Sequence, residues 1–296
     1  SGRDGNIQKT KNVIVRLGRR EIGMKFLMLA CWLLTVSLTS IAQDLAAQLK
    51  LNEEKTYTPR AKGLKDLVVD LVNPQLTKQL NDQMIFGHLN EVVFRLYWTA
   101  EPARVAVEIL GLPDGFREIK EELAASMIGN IEVIIPVPLA AKFSTYQLKI
   151  DPKKPRVLVA TDATHQQAIP EFEMTFNDGF LLTQIVAKKP IGTMSTEFSY
   201  AKESWSEPRQ VMNRSVTKLQ EGPQSNVTTV QLSYLVTSTM GLPSVMKTDA
   251  KQTINLPDKN AKPIERTTSD TLFFKNYKVN TSAATKYFLG QSAPKG

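Results

Sequence analysis

Cysteine is nearly absent: Cys31 is the only one in 296 residues. A single thiol excludes an intrachain disulfide framework and a zinc site built on thiolates. Histidine is almost as scarce, with His88 and His165 lying 77 positions apart. The chain has no Gly-x-Ser-x-Gly nucleophile elbow, no phosphate loop and no Gly-x-Gly-x-x-Gly dinucleotide fingerprint. Long hydrophobic runs are limited to FLMLACWLLTVSLTSI at 26–41. That run falls short of the roughly 20 apolar residues of a membrane-spanning helix. Disorder is excluded from the other side, because 42% hydrophobic content is enough to build a core.

The run at 26–41 follows Met24-Lys25 and ends at Ser40-Ile41-Ala42. Basic start, apolar middle and small-residue end are the parts of a secretory signal, with cleavage expected after Ala42. A retained membrane anchor is the competing reading. Residues 1–23 precede that start and take no part in the fold reading. The leader also explains most of the charge. The chain carries 37 Lys+Arg against 29 Asp+Glu, but residues 1–42 hold seven of the bases and two of the acids. The remaining 254 residues carry 30 bases and 27 acids, a net +3. So the basic whole-chain charge belongs mainly to the leader, and a nucleic-acid partner is not expected. Cleavage would also remove Cys31, leaving a protein that depends on its core. A bacterial periplasm suits that arrangement.

Residues 43–90 read as helical. Leu45 and Leu49, then Leu64, Leu67, Val68 and Leu71, then Leu76, Leu80 and Met84 follow helical spacing, broken at Asn73-Pro74 and ended at Gly87. From residue 91 the period shortens to two. Phe94, Leu96 and Trp98 alternate with Val93, Arg95 and Tyr97, and Val105, Val107 and Ile109 follow the same rule. One further helix is predicted on Phe116, Ile119, Leu123 and Met127, capped by Asp114 and closed by Gly129. Beyond it the sequence predicts strands at 131–137, 142–150, 156–161, 169–177, 180–187, 193–200, 209–219, 227–239, 243–254 and 271–280. Asn177-Asp178-Gly179 marks a hairpin. So do 188–192 and Glu221-Gly222-Pro223, while 256–270 reads as a polar loop. The fold class is α+β: a leader at 1–42, then one domain at 43–296 built on a large curved antiparallel sheet or open barrel.

Chemistry is sparse. Glu171 and Glu173 share one face of a strand about 7 Å apart, a separation seen in paired-acid glycoside hydrolysis, yet such a pair is also the ordinary wet face of a strand. Asp162 and His165 lie together in a polar turn. No catalytic residue, metal or cofactor is expected. More informative are the aromatic and Met side chains at alternating strand positions. They make either a filled core or the lining of an apolar cavity. The candidate ligand-binding residues are Phe94, Leu96, Trp98, Arg104, Phe172, Met174, Phe176, Met194 and Phe198.

Three segments carry a resemblance: Phe176-Asn177-Asp178-Gly179-Phe180, Tyr234 through Met246 (YLVTSTMGLPSVM), and Phe274-Lys275-Asn276-Tyr277-Lys278-Val279-Asn280. With the order of elements over 91–289, they resemble the outer-membrane lipoprotein carrier superfamily (LolA/LolB-like). That resemblance implies an incomplete β-barrel whose N-terminal helices, and one helix near 115–129, cover a hydrophobic interior. It implies a non-enzymatic carrier whose partner is a lipid or acylated lipoprotein, with Arg104 at the place of an early-strand arginine. An envelope structural or interaction protein with a filled core is the alternative, and an acid-residue hydrolase a third.

Overall fold

The computed structural model describes residues 45–83, 87–256 and 261–290. The chain divides into two compact units, 1–48 and 49–296. Only 45–48 of the first are described, so the expected leader at 1–42 lies outside the described residues. The sheet, core and cavity belong to the second unit.

Residues 45–55 are helical (α1), and a 3-10 turn follows at Pro59–Lys62. Strand β1 is Asp66–Val72, then come α2 (Pro74–Gln83), β2 (Val93–Ala100) and β3 (Ala103–Leu110). Three helices follow: α3 (Arg117–Ile128), α4 (Ile131–Ile134) and α5 (Leu139–Lys142). The rest is a meander: β4 (Gln147–Asp151), β5 (Lys154–Thr161), β6 (Glu171–Phe176), β7 (Leu182–Lys188), β8 (Thr193–Ala201), β9 (Val211–Glu221), β10 (Gln224–Thr237), β11 (Met240–Ile254) and β12 (Ile264–Val279). Helix α6 (Ala283–Phe288) ends the described chain.

All twelve strands join one antiparallel sheet, ordered β3-β2-β1-β12-β11-β10-β9-β8-β7-β6-β5-β4. One pairing is long-range: β1 meets β12, with Leu67 opposite Val279 and Leu71 opposite Phe274. The sheet is not closed. Its edges, β3 and β4, are consecutive in sequence and are joined by the stretch holding α3–α5.

Four readings are corrected. Of the helical stripe Leu64, Leu67, Val68 and Leu71, the last three lie in strand β1, whose seven residues are all buried, and Leu64 precedes it. Apolar side chains on both faces abolish the two-residue alternation, and what remains coincides with helical spacing. The strand predicted at 131–137 is helix α4 and a turn. The loop predicted at 256–270 is partly strand, since β12 starts at Ile264 and pairs Ile264 with Ile254. Its Thr, Ser and charged side chains are largely exposed and carry no hydrophobic period. Helix α3 forms as expected, but its N-cap is Phe116 with no side-chain cap, and Gly129 stays right-handed (φ −58°) so that α4 follows closely.

Beneath α3 and α4 the sheet is filled. Leu67, Val69 and Leu71 of β1 and Phe94, Leu96 and Trp98 of β2 form one core with Ile134 and Ile135, and α3 adds Ile119, Leu123 and Met127. On the opposite face Val68 and Tyr97 pack against Ala284 and Phe288 of α6. Strand β1 is therefore covered on both sides.

Candidate functional site

The register carries the helix-bearing face across the sheet. Thr196, Ile185, Met174 and Leu158 pair strand to strand, as do Val230 and Ser215, then Ser215 and Phe198. On this face, over β7–β11, lies a cavity of ≈ 680 Å³. Its floor comes from Leu182, Ile185, Phe198, Tyr200, Met212 and Tyr234. One wall is the turn around α4 and α5, with Ile134, Pro136, Val137 and Leu139. The other is the segment from α1 to the 3-10 turn, with Asn52, Thr56, Tyr57 and Arg60.

Three tyrosines follow one rule, and two of them, Tyr200 and Tyr234, form part of the floor. The register slips at Thr175/Phe176 between β6 and β7, at Ser199/Tyr200 between β8 and β9, and at Ser233/Tyr234 between β10 and β11. Just past each slip sits a carbonyl that a tyrosine of the following strand reaches. Tyr200 donates to Leu182 O (2.9 Å), Tyr234 to Met212 O (2.6 Å) and Tyr277 to Pro243 O (2.6 Å). Burial raises all three phenols above the ordinary tyrosine value. They stay protonated and spend their donors on backbone, so Tyr200 and Tyr234 offer the cavity aromatic carbon.

A clamp holds the second wall. Tyr57 N donates to Gln210 O and Gln210 N to Lys55 O, both at 2.8 Å. Arg209 Nη1 donates to the carbonyls of Glu53 (3.2 Å) and Thr56 (3.5 Å). The Tyr57 hydroxyl donates to Gly241 O and accepts from Gly241 N. Trp205 lies edge-on to Tyr57 at 4.9 Å and 5.4 Å from Tyr234. Its ring occupies the place a Cβ at Gly241 would take.

The nine residues singled out from sequence are dispersed. Phe198 lines the cavity. Phe94, Leu96 and Trp98 belong to the filled core. Met174 and Phe176 are buried on β6, and Phe172 packs against Phe143 and Tyr146. Met194 is half-buried on β8. Arg104 is exposed on edge strand β3, 6.0 Å from the Phe288 ring of α6. Residues outside that set, Ile185, Tyr200, Met212, Tyr234 and Tyr57, complete the lining. A signal for Tyr234, Gly241 and Pro243 was present in YLVTSTMGLPSVM. Nothing local marks Tyr57, because a partner 184 residues away defines it.

The acidic candidates do not converge. Glu171 and Glu173 lie on the opposite face from the cavity, both bound to Lys188 Nζ (2.6 and 2.5 Å). Asp162 accepts from Gln167 N, Thr164 N and Thr164 Oγ1, and these bonds lower its pKa to about 2. Neighbouring His165 is exposed, as is His88. Among the described residues no group of three or more His, Cys, Asp or Glu could hold a metal ion. No family model, curated protein or solved structure matches the chain.

Proposed function

We propose that this chain is an exported, non-enzymatic carrier or binding protein for a hydrophobic ligand, a lipid or the acyl chains of a lipoprotein, working in the periplasm. The observation that carries the reading is the apolar cavity of ≈ 680 Å³ on the tyrosine floor. Its size sits within the roughly 300–1,000 Å³ of small-molecule sites, and its floor is apolar and aromatic. Burying about ten methylenes there would contribute about 8 kcal/mol before ordering costs.

The incomplete-barrel form is part of the same proposal. A bulge bends its strand and increases local twist, and three register slips recur across alternate hairpins of the meander. The stretch joining the two sheet edges holds α3–α5, all of which line or cover the same face. The likeness of Phe176–Phe180, Tyr234–Met246 and Phe274–Asn280 to lipoprotein carriers supports this reading.

Native mass spectrometry of detergent-free protein, followed by lipid extraction, tests it. Co-purifying lipid or acylated peptide is the expected result, and a fluorescent fatty-acid probe should bind stoichiometrically once the cargo is stripped. Ile185→Trp and Met212→Trp fill the floor and should abolish uptake while circular dichroism stays unchanged. A clean unliganded mass combined with no probe uptake by the wild type would overturn the carrier reading and leave an envelope interaction protein.

A further inference from the structure

The wall formed by 50–61 and Arg209 is chemically unlike the floor. Two arginines, Arg60 and Arg209, line the cavity there. Arg209 uses Nη1 on two backbone carbonyls, and no carboxylate pairs with it among the described residues. Arg60 is exposed at the 3-10 turn and likewise forms no ion pair among them. The other lining cations are engaged: Lys50 meets Glu54 at 3.8 Å and Lys142 meets Glu132 at 2.9 Å. Among the described residues, Glu53 is the one lining carboxylate left over, against two arginines.

Surplus guanidinium charge, beside a floor whose hydroxyls are all committed, defines a ligand with two ends. We propose that the ligand is an anionic amphiphile. Its chain lies on the floor of Ile185, Phe198, Tyr200 and Tyr234. Its oxyanion head, carboxylate or phosphate, accepts from the guanidinium groups of Arg60 and Arg209. Arginine suits either head, because its fork of N–H groups matches two oxygens at once. This inference rests on the carrier reading, and names the class of cargo within it.

The test is isothermal titration of the full chain with three probes of equal chain length below their micelle concentrations: laurate, dodecyl phosphate and dodecanol. At least one anion should bind tenfold or more tighter than dodecanol. Which anion does so separates a carboxylate head from a phosphate head. In the Arg60→Gln variant, that preference should fall at least threefold while dodecanol affinity holds. Arg209 is left in place because it also anchors the wall. If the wild type binds dodecanol as tightly as both anions, the head-group seat is wrong and the carrier reading stands. A variant that weakens all three probes equally overturns the seat in the same way. If none of the three binds, both proposals fall.

Discussion

Asp70 is nearly buried, with 5% of its side chain exposed, and both its oxygens are taken. Arg95 Nε reaches Oδ1 at 2.7 Å, while Arg95 Nη2 and Asn276 Nδ2 reach Oδ2 at 3.0 Å. Burial pushes this carboxyl up, but the bonds from Arg95 and Asn276 outweigh it, and its pKa lies below the ordinary value. Because the folded value is the lower one, the stabilisation is complete above about pH 4 and is lost as pH falls through the folded value. Asp70→Asn should cost about 1–3 kcal/mol at pH 7, between the exposed and buried extremes for ion pairs. Urea unfolding should show the gap from wild type closing toward pH 3. The tyrosines give the opposite sign. Burial raises Tyr200, Tyr234 and Tyr277, and burial with a hydrogen bond to Glu108 raises Tyr97. Their contribution is whole below about pH 10 and lost as pH rises beyond it. Absorbance at 295 nm should show at least four of the seven tyrosines un-ionised at pH 10.5, releasing only as circular dichroism reports unfolding. None of these partners was legible locally. Asp70 and Arg95 are 25 positions apart, and only the β1–β2 register makes them neighbours.

Among elements, the strands most readable from sequence are those with one wet face. In β6, Phe172 and Met174 alternate with Glu171 and Glu173, and the hairpin after it turns at Asn177, whose Oδ1 accepts from Gly179 N and Leu181 N. β1 was unreadable for the converse reason. One of its covers is α6, whose docking is specific: the buried Asp66 accepts from Ala284 N (3.4 Å), Thr285 N (2.8 Å) and Thr285 Oγ1 (2.9 Å). Asp66→Ala removes this cap and should cost about 1–2 kcal/mol. Amide exchange should rise in 283–289 well before it rises in β1. The 202–210 connection is held both by the backbone bonds of Gln210 and by the packing of Trp205. Gly241→Ala would place a methyl where the Trp205 ring sits. It should destabilise by about 1–3 kcal/mol, as overpacking does, with a shift in tryptophan emission and weaker uptake of the fatty-acid probe.

For the whole molecule, topology sets the kinetics. Every strand of the sheet pairs with a sequence neighbour, but the sheet is completed by β1 meeting β12, roughly 200 positions away. Asn280 locks that seam, with Oδ1 accepting from Lys65 N (2.8 Å) and Asp66 N (3.2 Å) while Nδ2 donates to Gly63 O (3.0 Å). Contacts so distant make folding slow, in the range of milliseconds to seconds or beyond, because loop closure precedes the pairing that rewards it. Stopped-flow refolding should therefore show Trp98, opposite Leu67 on β1, gaining its native emission in the slowest phase. Asn280→Ala should slow that phase further or speed unfolding.

By itself the sequence determined the elements whose surroundings are one-sided. These include the meander from β5 to β11, its turns and the helix at 117–128, because alternation, turn residues and helical spacing are local properties of the chain. It also determined what the protein lacks: a thiolate metal site and the short motifs of nucleotide and serine-nucleophile chemistry. Tertiary structure alone decided that Leu67 to Leu71 form a strand, that Phe94, Leu96 and Trp98 fill a core, and that Tyr57, Tyr200, Met212 and Tyr234 meet around a space. The physical reason is that a cavity is a relation between surfaces. Its walls come from distant segments, such as Tyr57 and Gly241, 184 residues apart, brought together by long-range pairing and by hydroxyls bonded to distant carbonyls.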